Sequence, residues 1–267
     1  DCLTEDTEVL CSDGSYKLIT ELKGDEYIAN YNSQSGNIFF APPKSIIIRK
    51  QKINEVFYEF GNIQNNFRFC TNAKHRMAIK NNMGIEAELV KDIYIKDLIF
   101  NGNGVKTPIK KYDDNLICLV AWIVGDGSIK KTINPRTINY RIRFGVKKER
   151  KIQRIIYLLN QLQLKYTVSK YKRGDTTIMI NTESSKQLIG LVGLDKQYPK
   201  DFLFLSKKQA VIFKDELIQV DGDFENHSYR IYSSSLQQAD FLSAFFTINF
   251  GLTRVRIKKQ GKGGFKT

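Results

Sequence analysis

The chain has 267 residues and a formal net charge of +14, and 42% of the residues are hydrophobic, so it can bury a substantial core and is long enough for two domains. No run approaches the roughly 18 apolar residues of a membrane span, and no signal-peptide pattern opens the sequence, so neither membrane association nor secretion is expected. The four cysteines show no metal-binding or disulfide spacing, so we expect a protein of the reducing cytoplasm.

The positive charge is concentrated in one part of the chain. Residues 1–110 hold 14 basic and 14 acidic residues, which leaves 28 of the 42 basic and 14 of the 28 acidic residues for positions 111–267. A glycine-rich stretch at 101–108 separates the two parts. This asymmetry predicts two domains, of which only the second binds a polyanion.

Residues 1 to about 110 have the pattern of an all-β unit. Short runs of β-branched and aromatic residues alternate with turn signals such as Ser12-Asp13-Gly14, and no long helical pattern interrupts them. The predicted strands are 8–10, 27–29, 45–48, 56–60 and 67–70.

Three blocks of this part resemble the N-terminal blocks of inteins, in the order and spacing of that family. Residues 2–10 begin with Cys2, residues 22–28 contain a Gly-Asp pair, and residues 71–77 carry His75. The resemblance implies the Hint fold for residues 1–110, as the N-terminal part of a protein-splicing domain. It also implies a flanking extein polypeptide as the substrate.

The implied chemistry is an N–S acyl shift, which needs no cofactor. The Cys2 thiol would attack the carbonyl carbon of the preceding residue to form a thioester. His75 would polarise that amide and protonate the departing amine. The family pattern Thr-x-x-His is altered, since Thr71 stands four residues before His75 and Asn72 stands three before it. Either could supply the hydrogen bond, and spacing alone favours Asn72.

The second part opens with a predicted helix that ends in an acid between two glycines. The apolar residues of one helix face are Leu116, Leu119, Val120 and Ile123. Gly127 is expected to end this helix in the left-handed conformation. Asp126 would then face the negative end of the helix dipole, an arrangement that costs about 0.3–1 kcal/mol. A second apolar run, 217–220, ends in the same way at Asp221.

These two stretches resemble the paired motifs of LAGLIDADG homing endonucleases. In that family two motif helices pack side by side, and the acid that ends each helix binds a divalent metal above the DNA backbone. The resemblance therefore implies that Asp126 and Asp221 are catalytic and bind Mg²⁺. Lys214-Asp215-Glu216 departs from the pattern, because it replaces the small or apolar opening of the second motif. No motif identifies an assisting lysine, and a single Asp-Gly pair is more often a turn.

The elements that follow each motif also repeat. A strand with Tyr-Arg-Ile, at 140–142 and again at 229–231, is followed by a helix and another strand. This order predicts an α+β endonuclease domain of two pseudo-symmetric αββαββ repeats, at about 113–195 and 208–267. Basic residues at alternate strand positions would face a groove of double-stranded DNA. The candidate DNA-binding residues are Arg141, Arg143, Lys165, Arg230, Arg254, Arg256 and Lys258.

The second repeat stops short of its last strand and helix, and the histidine-bearing block and terminal His-Asn pair that end a full intein are not recognised. We therefore expect the N-terminal piece of a split intein, which would need a complementary C-terminal fragment to splice. A truncated chain is the alternative.

Two other functions fit the same residues. One is a site-specific DNA endonuclease, or an intron maturase of the same family, with an accessory β domain. The other is a DNA-binding module that has lost its cleavage chemistry, in keeping with the altered second motif. Thioester formation at Cys2 distinguishes splicing from both, and Mg²⁺-dependent DNA cleavage distinguishes the last two.

Overall fold

The structure is a computed structural model that describes residues 3–32, 34–50, 52–62, 67–81, 84–92, 111–134, 137–171, 174–225, 228–233 and 235–250. The chain forms two compact units, one made of residues 1–106 and 242–267 and the other of residues 107–241. The assignment of residues 1–110 and 111–267 to a splicing and an endonuclease domain stays a prediction.

Two-stranded antiparallel sheets make up most of the described part of the first unit, with 3₁₀ helices at Ile19–Glu21 and Val90–Asp92 and the end of the last helix at residues 242–250. Each sheet joins two strands that are consecutive in the chain. The strands are β1 (Glu8–Leu10), β2 (Tyr16–Leu18), β3 (Ile28–Tyr31), β4 (Ile38–Ala41), β5 (Phe57–Asn62), β6 (Phe67–Asn72), β7 (Arg76–Asn81) and β8 (Gly84–Leu89).

The predicted strands at 8–10, 27–29, 56–60 and 67–70 are confirmed, whereas the one at 45–48 is wrong. Ile47 and Ile48 are 82% and 76% exposed, and within the described ranges this segment pairs with no other strand. A β-branched run gains its strand preference from packing against neighbours, which these side chains lack. A closed Hint barrel is not part of the described structure, so the Hint fold stays a prediction.

The second unit mixes helices with antiparallel strands. Its main sheet has the strand order β11-β12-β10-β9, and β13 pairs with β14. A 3₁₀ helix at Lys200–Phe204 precedes α4. The elements are α1 (Asp114–Gly125), β9 (Gly127–Asn134), β10 (Thr137–Val146), α2 (Glu149–Gln161), β11 (Tyr166–Lys170), β12 (Thr176–Ile180), α3 (Thr182–Val192), α4 (Lys207–Asp221), β13 (Gly222–Glu225), β14 (Ser228–Ile231) and α5 (Leu236–Phe250), which begins in this unit.

This order confirms αββαββ for the first predicted repeat and αββα for the start of the second. The chain beyond residue 250 lies outside the described residues. None of the described helices has both the length and the apolar character needed to cross a membrane.

Helix α1 forms the centre of the second unit. Asp113 caps its N-terminus by accepting hydrogen bonds from the backbone amides of Asn115 and Leu116. Every residue from Ile117 to Val124 is buried, which is the pattern of a helix enclosed on all sides. The position of Asp126 is therefore fixed by a rigid, fully packed helix.

The glycines that follow the two acids have a different role from the one predicted. Gly127 does not take the left-handed conformation, and it begins β9 instead. A Cβ added to Gly127 would lie 2.5 Å from the carbonyl oxygen of Ile123, and one added to Gly222 would lie 2.6 Å from Ile218 Cα. The glycines are needed because each strand departs too close to its own helix for a side chain to fit.

Candidate functional site

The ends of α1 and α4 lie in close contact because residue 125 has no side chain. A Cβ added to Gly125 would lie 2.4 Å from Val220 Cγ1 and 2.8 Å from Asp221 Oδ2. Such close approach of two helices requires a glycine at the crossing. It brings Asp126, the next residue, beside Asp221, so the two acids predicted from the sequence end two neighbouring helices.

The two carboxylates affect each other electrostatically. Burial raises the pKa of Asp221, and the negative charge of Asp126 raises it further. The ammonium groups of Lys151 and Lys196 act in the opposite direction. The site therefore combines two acids with two lysines that the sequence patterns did not identify.

Lys151 lies in the first turn of α2 and makes a direct ion pair with the first acid. Its Nζ donates to Asp126 Oδ2 at 2.6 Å and to the carbonyl oxygen of Val220 at 2.8 Å. It also lies 5.5 Å from the centre of the Trp122 ring. The negative charge of Asp126, which lies at the negative end of the α1 dipole, is thus compensated by a lysine from another helix.

Lys196 reaches the same site from the loop after α3. Its Nζ donates to the carbonyl oxygens of Val124 at 3.2 Å and Gly127 at 2.6 Å, on either side of the first acid. Burial lowers its pKa, and the charges of Asp126 and Asp221 oppose that shift. Its backbone has a φ of +57°, a conformation that is costly for a residue with a side chain.

An ion pair between a buried acid and a partly exposed arginine joins the helices that carry the site. Glu216 is 2% exposed, and both of its carboxylate oxygens accept from Arg154, at 2.9 and 2.6 Å. The indole nitrogen of Trp122 donates to the same carboxylate. Burial acts to raise the pKa of Glu216, but these hydrogen bonds outweigh it and the net shift is downward. The acid that interrupts the second motif therefore joins α1, α2 and α4.

The donor set suits a hard divalent cation. Within the described ranges no three or more His, Cys, Asp and Glu side chains cluster as they would in a protein-only metal site. Mg²⁺ is commonly held by one or two carboxylates together with substrate phosphates and water. Asp126 and Asp221 fit that second arrangement.

Most of the predicted DNA-binding residues that are described share one face of the main sheet. Arg141 and Arg143 alternate with the buried Ile142 on β10, and Lys130 of β9 lies directly opposite Arg141. Lys165 lies one residue before β11, and its carbonyl oxygen accepts a hydrogen bond from the amide of Asn181. The register of β10, β12 and β11 therefore places Lys165 on the same face as Arg141 and Arg143.

The remaining candidates lie elsewhere. Arg230 is exposed on β14, opposite Asp223 of β13. Arg254, Arg256 and Lys258 lie outside the described residues. A basic row in the second repeat therefore stays a prediction.

Three of the candidate splicing residues, Thr71, Asn72 and His75, lie at one turn of the first unit. The amide of His75 donates to the carbonyl of Asn72 at 3.0 Å, so Asn72 begins the turn that His75 ends, and Thr71 lies before it. The side chain of Asn72 donates to Glu55 Oε1 at 3.0 Å, and Arg49 holds the same carboxylate. Hydrogen bonds from Arg49 and then Asn72 lower the pKa of Glu55.

The N-terminal segment runs beside this turn. Leu3 forms an antiparallel bridge with Thr71, and the amide of Thr4 donates to the carbonyl of Cys70 at 3.2 Å. Cys2 itself lies outside the described residues. His75 Nδ1 is buried and has no hydrogen-bond partner within the described part of the chain. Burial lowers the pKa of His75.

Comparisons with known proteins give remote similarities only. No known family profile matches the sequence, and no curated protein matches it. The homing endonuclease I-DmoI, in complex with DNA and Mn, is 16% identical over 50% of this chain and 76% of its own, with a TM-score of 0.39. The homing endonuclease I-WcaI, bound to its DNA recognition sequence, is 12% identical over 53% of this chain and 70% of its own, with a TM-score of 0.32. The AceL NrdHF class 3 split intein is 16% identical over 67% of this chain and 96% of its own, with a TM-score of 0.29.

Sequence reasoning found the two acids but missed the basic residues around them. Lys151 and Arg154 belong to no motif, and the periodicity of α2 indicates only its apolar face. Lys196 lies in a loop without a motif. The signal available in the sequence was Glu216 inside an apolar helix, since a buried acid requires a cationic partner.

Proposed function

We propose that residues 107–241 contain a metal-dependent DNA endonuclease site of the LAGLIDADG type. The observation that carries this proposal is the pair of acids at the adjoining ends of two helices that pack through Gly125. Two carboxylates on a rigid support, next to a sheet with a basic face, provide the parts needed to cleave a phosphodiester.

The duplex binds to the basic face of the main sheet, where Lys130, Arg141, Arg143 and Lys165 contact phosphates and base edges. Asp126 and Asp221 would hold a divalent cation, which would supply charge neutralisation at the scissile phosphate and a lowered pKa for the attacking water. Lys196, whose side chain interacts electrostatically with both acids, holds the backbone at Val124 and Gly127. The packed helices keep the acids in fixed positions as the DNA binds.

Selective cleavage of a randomised duplex library tests this proposal whatever the target sequence is. The wild-type protein should release cut molecules that share a sequence only when Mg²⁺ or Mn²⁺ is present. Asp126→Asn and Asp221→Asn should each abolish the cut while leaving DNA binding intact. Binding without any cleavage by the wild type would favour the alternative of a DNA-binding module.

The basic face is tested separately by the dependence of DNA affinity on salt. Replacing Arg143 with Ala should weaken binding to all duplexes and reduce the slope of log K against log salt by about 1. Lys186 is exposed on α3, outside the strands of this sheet, and Lys186→Ala is the matched control. If both variants gave the same slope of log K against log salt, the basic face of the sheet would not be part of the DNA interface.

We propose a second activity, the N–S acyl shift of protein splicing, for the first unit. Its support is the turn from Asn72 to His75 beside the N-terminal segment, together with the buried His75 Nδ1, which none of the described residues hydrogen-bonds. In this scheme His75 binds the scissile amide while the Cys2 thiol attacks the preceding carbonyl carbon. A carbon–sulfur bond forms, the carbon–nitrogen bond breaks, and the free amine of Cys2 takes up a proton.

Thiol-induced release of an upstream fusion partner tests this activity. A thiol such as dithiothreitol should release the partner from the wild type, and Cys2→Ala should prevent release completely. His75→Ala should slow it, and Asn72→Ala should slow it more than Thr71→Ala does. Release that is unchanged in Cys2→Ala would exclude the acyl shift. The requirement for a complementary fragment in full splicing stays a prediction.

A further inference from the structure

Lys151 has more contacts than a solvated surface lysine would have. Its side chain is 14% exposed, and its Nζ is shared between the Asp126 carboxylate and the Val220 carbonyl. These two partners belong to the ends of α1 and α4, where the acids meet. The ammonium thus lies against an oxygen atom that a divalent cation would also need.

Two neighbouring residues fix the position of Lys151. Arg150 Nη1 donates to the carbonyl oxygen of Gln219 at 3.1 Å, and Arg154 holds the buried Glu216. Together with the bond from Lys151 to Val220, these contacts attach α2 to the last turns of α4 on both sides of Lys151. Because both sides of Lys151 are held, its ammonium stays beside Asp126 without having to be drawn there by a ligand.

The two acids differ in whether a lysine forms an ion pair with them. The Asp221 carboxylate makes no ion pair with the described residues, although the charges of Lys151 and Lys196 both influence it. Lys196 uses its hydrogen bonds on the backbone carbonyls of Val124 and Gly127. Of the two candidate metal ligands, Asp126 alone is directly neutralised by a side chain of the described structure.

We infer that Lys151 is a built-in counter-ion of Asp126, and that a divalent cation reaches this carboxylate only by displacing the lysine. The inference depends on the proposed function, in which both acids hold the metal. Metal affinity is then set by competition: Lys151 keeps the acids together in the free protein and lowers their affinity for metal until DNA phosphates add ligands.

Binding of Mn²⁺ to the protein without DNA tests the competition directly. Lys151→Met keeps the apolar stem and removes the charge, and it should lower the Kd for Mn²⁺ about tenfold, as measured by electron paramagnetic resonance of the free ion. Lys186→Met removes an exposed charge of the same unit and should leave the Kd unchanged. A Kd for Lys151→Met that is equal to or weaker than that of the wild type would overturn the inference. Failure of both proteins to bind Mn²⁺ would overturn it as well.

A second measurement uses the wild type alone, so it does not depend on the folding of a variant. Acetylation of lysines by a water-soluble reagent is followed by mass spectrometry with and without Mn²⁺. Labelling of Lys151 should rise severalfold when Mn²⁺ is present, and labelling of Lys186 should stay constant. Unchanged or reduced labelling of Lys151 would show that the metal does not displace it. Neither measurement involves cleavage, so an absence of nuclease activity would count against the proposed function and leave the competition to be judged on metal binding.

Discussion

At the scale of single residues, Gly125 determines how closely the two acids approach. A side chain at this position would meet both Val220 and the carboxylate of Asp221. Since α1 is enclosed on all sides, it cannot shift away without disturbing buried neighbours. The glycine is therefore a requirement of the site as well as of helix packing.

Gly125→Ala should destabilise the protein by about 1–3 kcal/mol, because the added methyl overlaps Val220 Cγ1 and forces α1 and α4 apart. Gly190→Ala is the matched control, since a Cβ there meets nothing within 4 Å and α3 is helical at that point. The free energy of unfolding of the control should rise by about 0.5–1 kcal/mol, because alanine has a better helix propensity than glycine. Chemical denaturation measures both changes. Equal stabilities for the two variants would contradict the close approach.

His75 allows a prediction about pH. Its folded-state pKa is lowered by burial, so between that pKa and about 6.5 the unfolded chain binds more protons than the folded one. Acidification through this window should therefore destabilise the wild type relative to His75→Gln, which cannot titrate. The free energy of unfolding of both proteins, measured from pH 7 to pH 5, gives the comparison. His227 is present in both, so the difference reports on His75 alone. If acidification instead stabilised the wild type relative to His75→Gln, the pKa of His75 would not be lowered in the folded state.

At the scale of elements, α2 connects the two motif helices. Its residues Arg150, Lys151 and Arg154 bind the last turns of α4, where backbone carbonyls lack partners within the helix. The same contacts place positive charge at the negative end of α4. Because Glu216 stands within α4, the contact between these helices contains an ion pair with Arg154 and is not purely apolar.

Arg154→Met should cost about 3–5 kcal/mol, because it leaves the Glu216 carboxylate buried without its cation. Arg154→Met combined with Glu216→Leu should recover much of that loss, since the charge and its partner are then removed together. The control is the pair of Lys214 and the exposed Asp215, whose atoms lie 3.1 Å apart, and Asp215→Asn should change stability by less than about 1 kcal/mol. Thermal and chemical unfolding measure all variants. Additive losses in the double variant would show that the two groups do not act as a pair.

At the scale of the whole molecule, the sequence predicted the elements of the second unit better than the contacts between them. The spacing of Leu116, Leu119 and Ile123 predicted α1, and the Asp-Gly pair predicted where it ends. The ion pair between Asp126 and Lys151 joins residues from different helices, and single-sequence periodicity reports one helix at a time. The prediction of a strand at 45–48 was wrong for the same reason, because strand pairing depends on a second segment as well.

The chain contains one tryptophan, Trp122, and it lies four residues before the first acid and beneath Lys151. Its fluorescence therefore follows unfolding of the unit that carries the proposed metal site. Mg²⁺ at about ten times its Kd should stabilise that unit by about 1.4 kcal/mol and raise the midpoint of the fluorescence transition by about 4–6 °C. The rise should vanish in the variant with both Asp126→Asn and Asp221→Asn. Sodium chloride of equal ionic strength controls for screening of the +14 net charge. An equal rise in the double variant would mean that Mg²⁺ stabilises the protein at some place other than the two acids.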